Sequence, residues 1–502
     1  MRDHKPVIID EFNGLFKRGP QDACPLDHSP DCENVQYEEK QLKTRDGLDT
    51  FVAIANPVRM FNYTMQDGES LLLLNSSGEI YHVINPDTGS EIIHGPILTI
   101  ASMTDFKIQS FNGRAYITPI QNNTNAYGTN YQTGVEDEFL YVYLGDGTAA
   151  RKAAGFGPTA GSLTLAAGGA GNVELGYHVF AVAYVTDTGF ITKMERFADI
   201  LVTGTTSVDI SNIPTSPDTY IEKRRIVATK AIPATLYTGN LTGYQFFFVP
   251  DGEIDDNTTT TLNVNFFDIE LLADASYLLD LLEEIPAGAA ITTYHNRLCI
   301  GGTFADISLW YVSVAGEPEA IDAVSGLVII PLDGNPITNG QEFRDVFYSF
   351  KKTRTYAIND NGNPPSFWPV DVIDQGIGSS LHGVAYVLDS GGVNIEFILI
   401  VDYSGIMIFD GAYKRPELTW KIETVWLRLE RNEFANIQIV NDSLAQQLFM
   451  TLPDRKMLHG DYRNGLTAKD IKWAPWRFDI ETTTIALINT NTLIIGANQL
   501  AS

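Results

Sequence analysis

The chain has 502 residues, 44% of them hydrophobic and 19% charged, which provides a sizeable core and excludes a disordered chain. Lys and Arg number 34 against 62 Asp and Glu, a formal net charge of −28. That balance excludes general nucleic-acid binding, which sets cations against phosphates, and three cysteines are too few for a disulfide scaffold and suit a reducing compartment.

The N-terminus "MRDHKPVIIDEFNG" has no positive region followed by an apolar run, so no secretion signal is expected. No apolar stretch approaches the ~18 residues needed to span a bilayer. Residues 1–50 read as an arm punctuated by Pro and Gly that ends in a strand, a charged turn and a second strand, "CENVQYEEKQLKTRDGLDTF". Its few anchors, Phe12, Leu15, Phe16, Leu42, Arg45 and Leu48, suit docking on another surface and are the candidate intersubunit or adaptor contacts. Within the arm, Cys24, His28 and Cys32 follow a C-x3-H-x3-C spacing. Zinc takes four ligands, and the fourth is missing nearby, so the expectation is an extended arm with two small buried thiols and no metal.

From residue 51 onward, short runs rich in Val, Ile, Tyr, Phe and Thr alternate with Gly, Asn and Asp turns. "RMFNYTMQDGESLLLLNSSGEIYHVINPDTG" is a meander whose Asp67–Gly68 and Ser77–Gly78 turns supply the positive φ that tight hairpins need. Such units fall at 58–85, 104–146, 290–315, 343–360, 383–412 and 437–480. Degenerate repeats of this kind predict a β-propeller, its parts at 51–157 and 286–502; the count favours six blades and allows seven.

Residues 158–285 interrupt the repeat. A Gly/Ala/Ser-rich lead, "GPTAGSLTLAAGGAGNVELG", is followed by strands that alternate apolar and polar residues, predicting an inserted immunoglobulin- or fibronectin-like β-sandwich. In "LLADASYLLDLLEEI" leucines recur three and four apart, predicting a helix over 271–285 that returns the chain to the propeller. The fold class is all-β.

Chemical motifs are sparse. The sequence has no G-x-S-x-G elbow, no phosphate loop and no H-E-x-x-H helix, and its eight histidines sit in separate contexts. The acidic clusters "DGEIDDN" and "INDNGN" are primarily turn formers. No repeated sialidase box and no alternating Asp/Asn calcium loop occurs, so neither enzyme activity nor a cofactor is expected. Trp420, Trp426, Trp473 and Trp476 cluster late; core packing is the plainer reading, a stacking platform the sharper one.

The arm, with Arg18, Gly19, Pro25, His28, Cys32, Asn34, Leu42, Thr44, Arg45, Gly47 and Leu48, resembles the start of nozzle-type tail proteins of short-tailed and some long-tailed phages. "YHNRLCIGGTFADISLWYVSVAGEPEAID", "VFYSFKKTRTYAI" with "DVIDQGIGSSLHGVA", "GIMIFDGAYKRPEL" and "DYRNGLTAKDIKWAPWRF" are similar to that family's successive blades. The match ends near "NTNTLIIGANQLAS", where relatives often run on, and an N-terminal strand is the candidate to complete the last blade. The resemblance implies a structural virion protein of the tail, made in the host bacterial cytoplasm. It implies a ring of six copies beneath portal and adaptor, next to tail fibre or needle proteins, with double-stranded DNA passing through unbound. Acidic turns, Asp251, Glu253, Asp255 and Asp256 with Glu136, Asp137 and Glu138, are then candidates to line the channel. The competing functions are a glycan- or receptor-binding tail propeller and a divergent glycosidase.

Overall fold

The structure is a computed structural model, and it describes residues 15–18, 24–25, 28–29, 31–38, 41–44, 54–65, 68–86, 90–101, 103–121, 139–303, 305–389, 395–414, 418–430, 433–453, 456–467, 469–478, 481–488 and 492–498. The arm contributes a two-stranded hairpin, β1 (Val35–Glu38) and β2 (Gln41–Thr44). Blade 1 follows as β3 (Pro57–Met65), β4 (Gly68–Asn75), β5 (Glu79–Ile84) and β6 (Ile92–Thr99). Blade 2 is β7 (Met103–Phe111), β8 (Arg114–Gln121), β9 (Tyr141–Tyr143) and β10 (Arg151–Lys152).

The chain then leaves the propeller. Seven strands, β11 (Thr164–Val173), β12 (Gly176–Thr186), β13 (Glu195–Val202), β14 (Thr206–Ser211), β15 (Ile221–Thr229), β16 (Phe246–Ile254) and β17 (Thr261–Val264), form two sheets. Their orders are β11-β14-β17 and β13-β12-β15-β16. If β11, β12, β14, β15 and β16 stand for strands B, C, E, F and G, the immunoglobulin pairings B–E and C–F–G are present, with β17 on the far edge of E. β12 is buried almost throughout, so its sequence reads as an apolar run rather than an alternation. Phe180 and Val182 face the sandwich core, while Val179, Ala181 and Ala183 pack on the propeller with Tyr116, Val142 and Leu298. The inserted domain is thus bolted to blades 2 and 3.

The expected helix at 271–285 is not formed; this stretch holds a 3-10 turn at Ser276–Leu279 and is otherwise irregular. Its backbone groups bond to neighbours instead: Phe248 N–H donates to Ala273, Ala275 N–H to Phe246, Leu282 N–H to Ile321, and Leu140 N–H to Ile285. Leu271, Leu278 and Leu281 are buried among both domains while Leu272 is exposed, so leucine spacing came from lining two surfaces rather than one helical face.

The propeller resumes with blade 3, β18 (Gly288–Tyr294), β19 (Arg297–Thr303), β20 (Leu309–Val312) and β21 (Leu327–Ile329). Blade 4 is β22 (Ile337–Phe343), β23 (Val346–Lys351), β24 (Thr355–Ile358) and β25 (Val370–Asp374). Blade 5 is β26 (Val384–Asp389), β27 (Ile395–Asp402), β28 (Gly405–Phe409) and β29 (Tyr413–Lys414). A single α-helical turn, α1 (Glu423–Trp426), precedes blade 6, β30 (Ile439–Asp442), β31 (Gln447–Leu452), β32 (Lys456–Asp461) and β33 (Lys472–Arg477). Last comes a hairpin, β34 (Glu481–Ile488) and β35 (Thr492–Asn498).

Separate apolar clusters fill the gaps between successive blades. Phe106 and Ile117 of blade 2 meet Leu72 and Ile80 of blade 1, and Trp310 of blade 3 meets Phe347 and Tyr356 of blade 4. The hairpin is wedged the same way. Ile485, Leu493 and Ile495 pack on Phe449 and Met457 of blade 6, whereas Ala486, Ile488 and Ile494 pack on Met60, Leu71, Leu73 and Val83 of blade 1. It therefore closes the circle as a seventh blade, and the favoured count of six is corrected. The six units read from sequence are the six four-stranded blades; a two-stranded seventh has no meander to detect.

Two blades use the same local device. Cβ atoms built on Gly301 and Gly340 would lie 2.6 and 2.5 Å from the Trp310 ring, and one on Gly460 would lie 2.5 Å from Trp473. Glycine makes room for an indole laid flat over the sheet, with Trp310 Nε1–H donating to Ser349 and Trp473 Nε1–H to the Leu418 carbonyl.

Candidate functional site

The first strand of each blade lines the propeller axis, and there the chain buries charge. Arg59 on β3 makes a bidentate pair with Asp105 on β7 (3.0 and 3.1 Å), and Asp105 also meets His382 Nε2 at 2.7 Å, just ahead of β26, and accepts from Phe106 N–H at 2.8 Å. Arg59 also donates to Gln438 Oε1 (3.3 Å), which accepts from Thr484 Oγ1 of β34 (2.8 Å) while Gln438 Nε2 donates to the Met60 carbonyl. Two residues along β7, Lys107 Nζ donates to Thr338 O (2.7 Å) and Asn339 Oδ1 (2.6 Å) on β22. Asn339 in turn donates to Ser379 Oγ and the Ser380 carbonyl. These contacts join blades 1, 2, 4, 5, 6 and 7.

Burial alone would raise the Asp105 carboxyl, but Arg59 and His382 outweigh it and hold the group well below the usual carboxylate range. Burial, aided by Arg59, pushes His382 down to about 4 against the pull of Asp105, so the imidazole is neutral at pH 7. Burial likewise lowers Lys107 to about 7. An Asp–His pair is a familiar orienting unit for a nucleophile, yet here its carboxylate is tied to a guanidinium and its partners are structural carbonyls and amides. The arrangement staples strands together; sequence spacing gave no signal of it, because its hydrogen-bonded partners lie 40 to 379 positions apart.

Beside this network lies a cleft of about 400 Å³ bordered by Arg59, Asp105, Glu433, Asn436, Thr482 and Pro453. A second cleft of about 460 Å³ shares Glu433, Leu452 and Pro453 with it and is walled by the arm residues Leu15, Phe16 and Lys17.

The arm residues described are docked on their own chain. Leu15, 1% exposed, lies in the cluster between blades 5 and 6, and its N–H donates to the Trp473 carbonyl. It is therefore not available to a neighbour, which corrects its expected role. Phe16 sits edge-on to Trp420 and His28, Arg18 lies over Trp420 and pairs with Glu423 at 3.1 Å, and Trp476 Nε1–H donates to the Val35 carbonyl. Trp426 and Trp473 are core residues, so the stacking platform is not assembled from the late tryptophans. Phe12, Arg45 and Leu48 lie outside the described residues, as does the side chain of Leu42 on β2.

Cys32 is buried, as expected of both arm thiols, whereas Cys24 is half-buried with its Sγ 3.6 Å from the Pro25 carbonyl; neither is in a disulfide. Among the described residues, one group places metal-type ligand atoms within 4.8 Å of one another: His295, Glu342 and Asp345, at the tips of blades 3 and 4. His295 also faces Asp360 at 3.5 Å.

The acidic turn of the sandwich is compensated rather than bare. Glu253 pairs with Lys223 and Arg225, Asp255 with Lys223, and Asp256 with Arg224, while Asp251 is exposed on the same turn. Three of these four carboxylates thus have cations against them. Glu136, Asp137 and Glu138 lie outside the described residues.

No protein-family description and no curated protein matches the sequence. Solved structures similar in chain path include Raptor of Chaetomium thermophilum, with a TM-score of 0.36 and 9% identity over 89% of this chain and 27% of that one. Hsv2 of Kluyveromyces lactis gives 0.31 and 9% over 84% of this chain and 97% of its own, and Hsv2 of Kluyveromyces marxianus 0.26 and 10% over 85% and 98%. The present chain spans about a quarter of the Raptor chain it matches. At these values the likeness carries no argument about activity or partners. Among the described residues, no helix is long and apolar enough to cross a membrane.

Proposed function

We propose that this chain is a structural subunit of a phage tail nozzle or hub, assembled as a six-membered ring beneath the portal and adaptor, where it forms part of the DNA channel and retains or releases the genome. The observation that carries the reading is the propeller axis. Along the axis, buried polar groups from six blades are paired with one another. That arrangement gives rigidity under load rather than turnover. The net charge of −28 supports a wall that does not trap phosphates, since each cation on DNA adds affinity through counterion release. The order of the arm and blade sequences supports the same family of tail proteins.

Sedimentation and native mass measurement test the reading. The purified chain, or the complex it forms with its particle, is expected to give a species about six times the 55.4 kDa subunit mass. A chain that stays monomeric at all concentrations and is missing from purified particles would remove the proposal.

A further inference from the structure

Where carboxylates crowd together around Arg151 and Lys223, the cation is shared between them: Arg151 by Asp187 and Glu319, Lys223 by Glu253 and Asp255. The tips of blades 3 and 4 are built otherwise. Ligand-type atoms of His295, Glu342 and Asp345 lie within 4.8 Å of one another, and Asp360 Oδ2 stands 3.5 Å from His295 Nδ1. Among the described residues, no Lys or Arg is ion-paired with these three carboxylates. The guanidiniums closest in sequence are engaged elsewhere: Arg297 donates to the Ser313 carbonyl, and Arg344 to the carbonyls of Asp410 and Glu396. Three carboxylates thus surround one imidazole with no protein cation to offset them.

Three loops bring the groups together. His295 and Asn296 form the two-residue β18–β19 turn, with φ of 45° and 57°, and Arg344 and Asp345 the β22–β23 turn, with φ of 51° and 61°. The matching turn of blade 2 is Asn112–Gly113, the usual pair for such a hairpin. The fully buried Tyr294 ties the loops from below. Its hydroxyl donates to the Asp345 carbonyl (3.1 Å) and accepts from Asp360 N–H (3.1 Å), and its ring stacks on the imidazole at 4.1 Å. His295 N–H donates to Glu342 Oε2 at 3.3 Å, and Gly362 N–H to Asp360 Oδ1 at 2.8 Å, which leaves Oδ2 for the imidazole.

An imidazole among carboxylates is a donor set for zinc and its neighbours in the first transition row, whereas calcium takes six to eight oxygens. A metal-bound histidine ordinarily donates its other ring N–H to a carboxylate, which fixes the tautomer. Asp360 stands in that place for Nδ1 and leaves Nε2 for the ion. Ligand atoms on tetrahedral zinc lie about 3.3–3.6 Å apart, so the group closes by about 1 Å. His295 and Asp345 are exposed and have room for that movement.

We propose that His295, Glu342 and Asp345 form a site for one divalent cation of the zinc class, with Asp360 as the positioning carboxylate behind the imidazole and a solvent-facing position left to water. One ligand comes from blade 3 and two from blade 4, so the ion bolts neighbouring blades together at one end of the propeller. The site does not depend on the ring reading above.

The test takes the untagged full-length chain, strips it with a chelator, and titrates it with Zn²⁺ by calorimetry and with Co²⁺ by visible absorption. One ion per chain is expected, held at least about tenfold more tightly than Ca²⁺, with cobalt bands of nitrogen and oxygen ligation and a higher melting temperature in zinc. Asn is at home in a left-handed turn, so His295→Asn should fold, lose at least about tenfold in affinity and lose the zinc-dependent rise in melting temperature. Asp360→Asn should leave the metal-free melting temperature unchanged and weaken zinc by about tenfold; lost metal-free stability with unchanged affinity would remove its positioning role. No zinc uptake, equal uptake by His295→Asn, or Ca²⁺ held as tightly as Zn²⁺ would overturn the proposal. So would cobalt bands of thiolate ligation, which would put the ion on the arm cysteines. Oligomer mass is read separately, so the ring reading survives or fails apart from this site.

Discussion

Replacing Asp105 by Asn removes one charge from the axis with little change of shape, and the consequence follows from burial. Arg59 is 3% exposed and Asp105 9%, so the guanidinium left behind stays almost wholly out of water and keeps Gln438 as a neutral partner. Breaking a buried ion pair on one side costs about 3–5 kcal/mol. Unfolding entropy near 2.1 cal/mol/K per residue gives about 1 kcal/mol/K for a chain of this length unfolding as one unit, so the melting temperature should fall by about 3–5 °C. If the propeller melts separately from the sandwich, the shift is larger. Scanning calorimetry measures it, and the double variant Arg59→Met with Asp105→Leu completes the cycle, because an apolar pair of similar volume is expected to recover most of the loss. A shift under about 1 °C for Asp105→Asn, or a double variant as damaged as the sum of its singles, would refute the reasoning.

His459 on β32 is buried with neither ring nitrogen hydrogen-bonded, stacked 4.8 Å from Trp476, so His459→Phe should keep the stack and raise stability by about 1–3 kcal/mol in urea melts. Burial lowers His459 and His382 to about 4 from 6.5, so the unfolded chain binds protons the folded one does not between those values. Stability should therefore fall as pH drops from about 6.5 toward 4, and the advantage of His459→Phe should be greater at pH 5 than at pH 8. Leu15→Asp should detach the arm at a cost of at least the ~2–5 kcal/mol of a buried leucine truncation, seen as faster tryptic cleavage after Lys17 and Arg18 while the blades stay resistant. Gly460→Ala should destabilise blade 6 by about 1–3 kcal/mol, because its methyl would overlap the Trp473 ring; an unchanged melting temperature would mean the indole can move aside.

The all-β class and the propeller were legible because they rest on local signals: period-two runs and Gly and Asn turns. The helix at 271–285 failed because leucine spacing reports burial, and burial here comes from two domains on different sides of an irregular strand. β12 hid its role for a related reason, since a strand covered on both faces loses its alternation. The axial network was invisible to any spacing rule. Arg59, Asp105, His382 and Gln438 come together only when the circle closes, and each reads alone as an ordinary surface residue. Leu15 was legible as an anchor but not as to which chain it anchors, for a buried leucine serves a neighbour or its own core equally well.

Cryo-electron microscopy of the intact particle tests the central claim most directly. The account predicts a six-fold ring below the portal, each subunit a seven-bladed propeller with its inserted sandwich, the propeller axes closed and the DNA path running through the ring between subunits. A tail whose ring is built of another protein, or this chain standing as a single copy away from the channel, would contradict it.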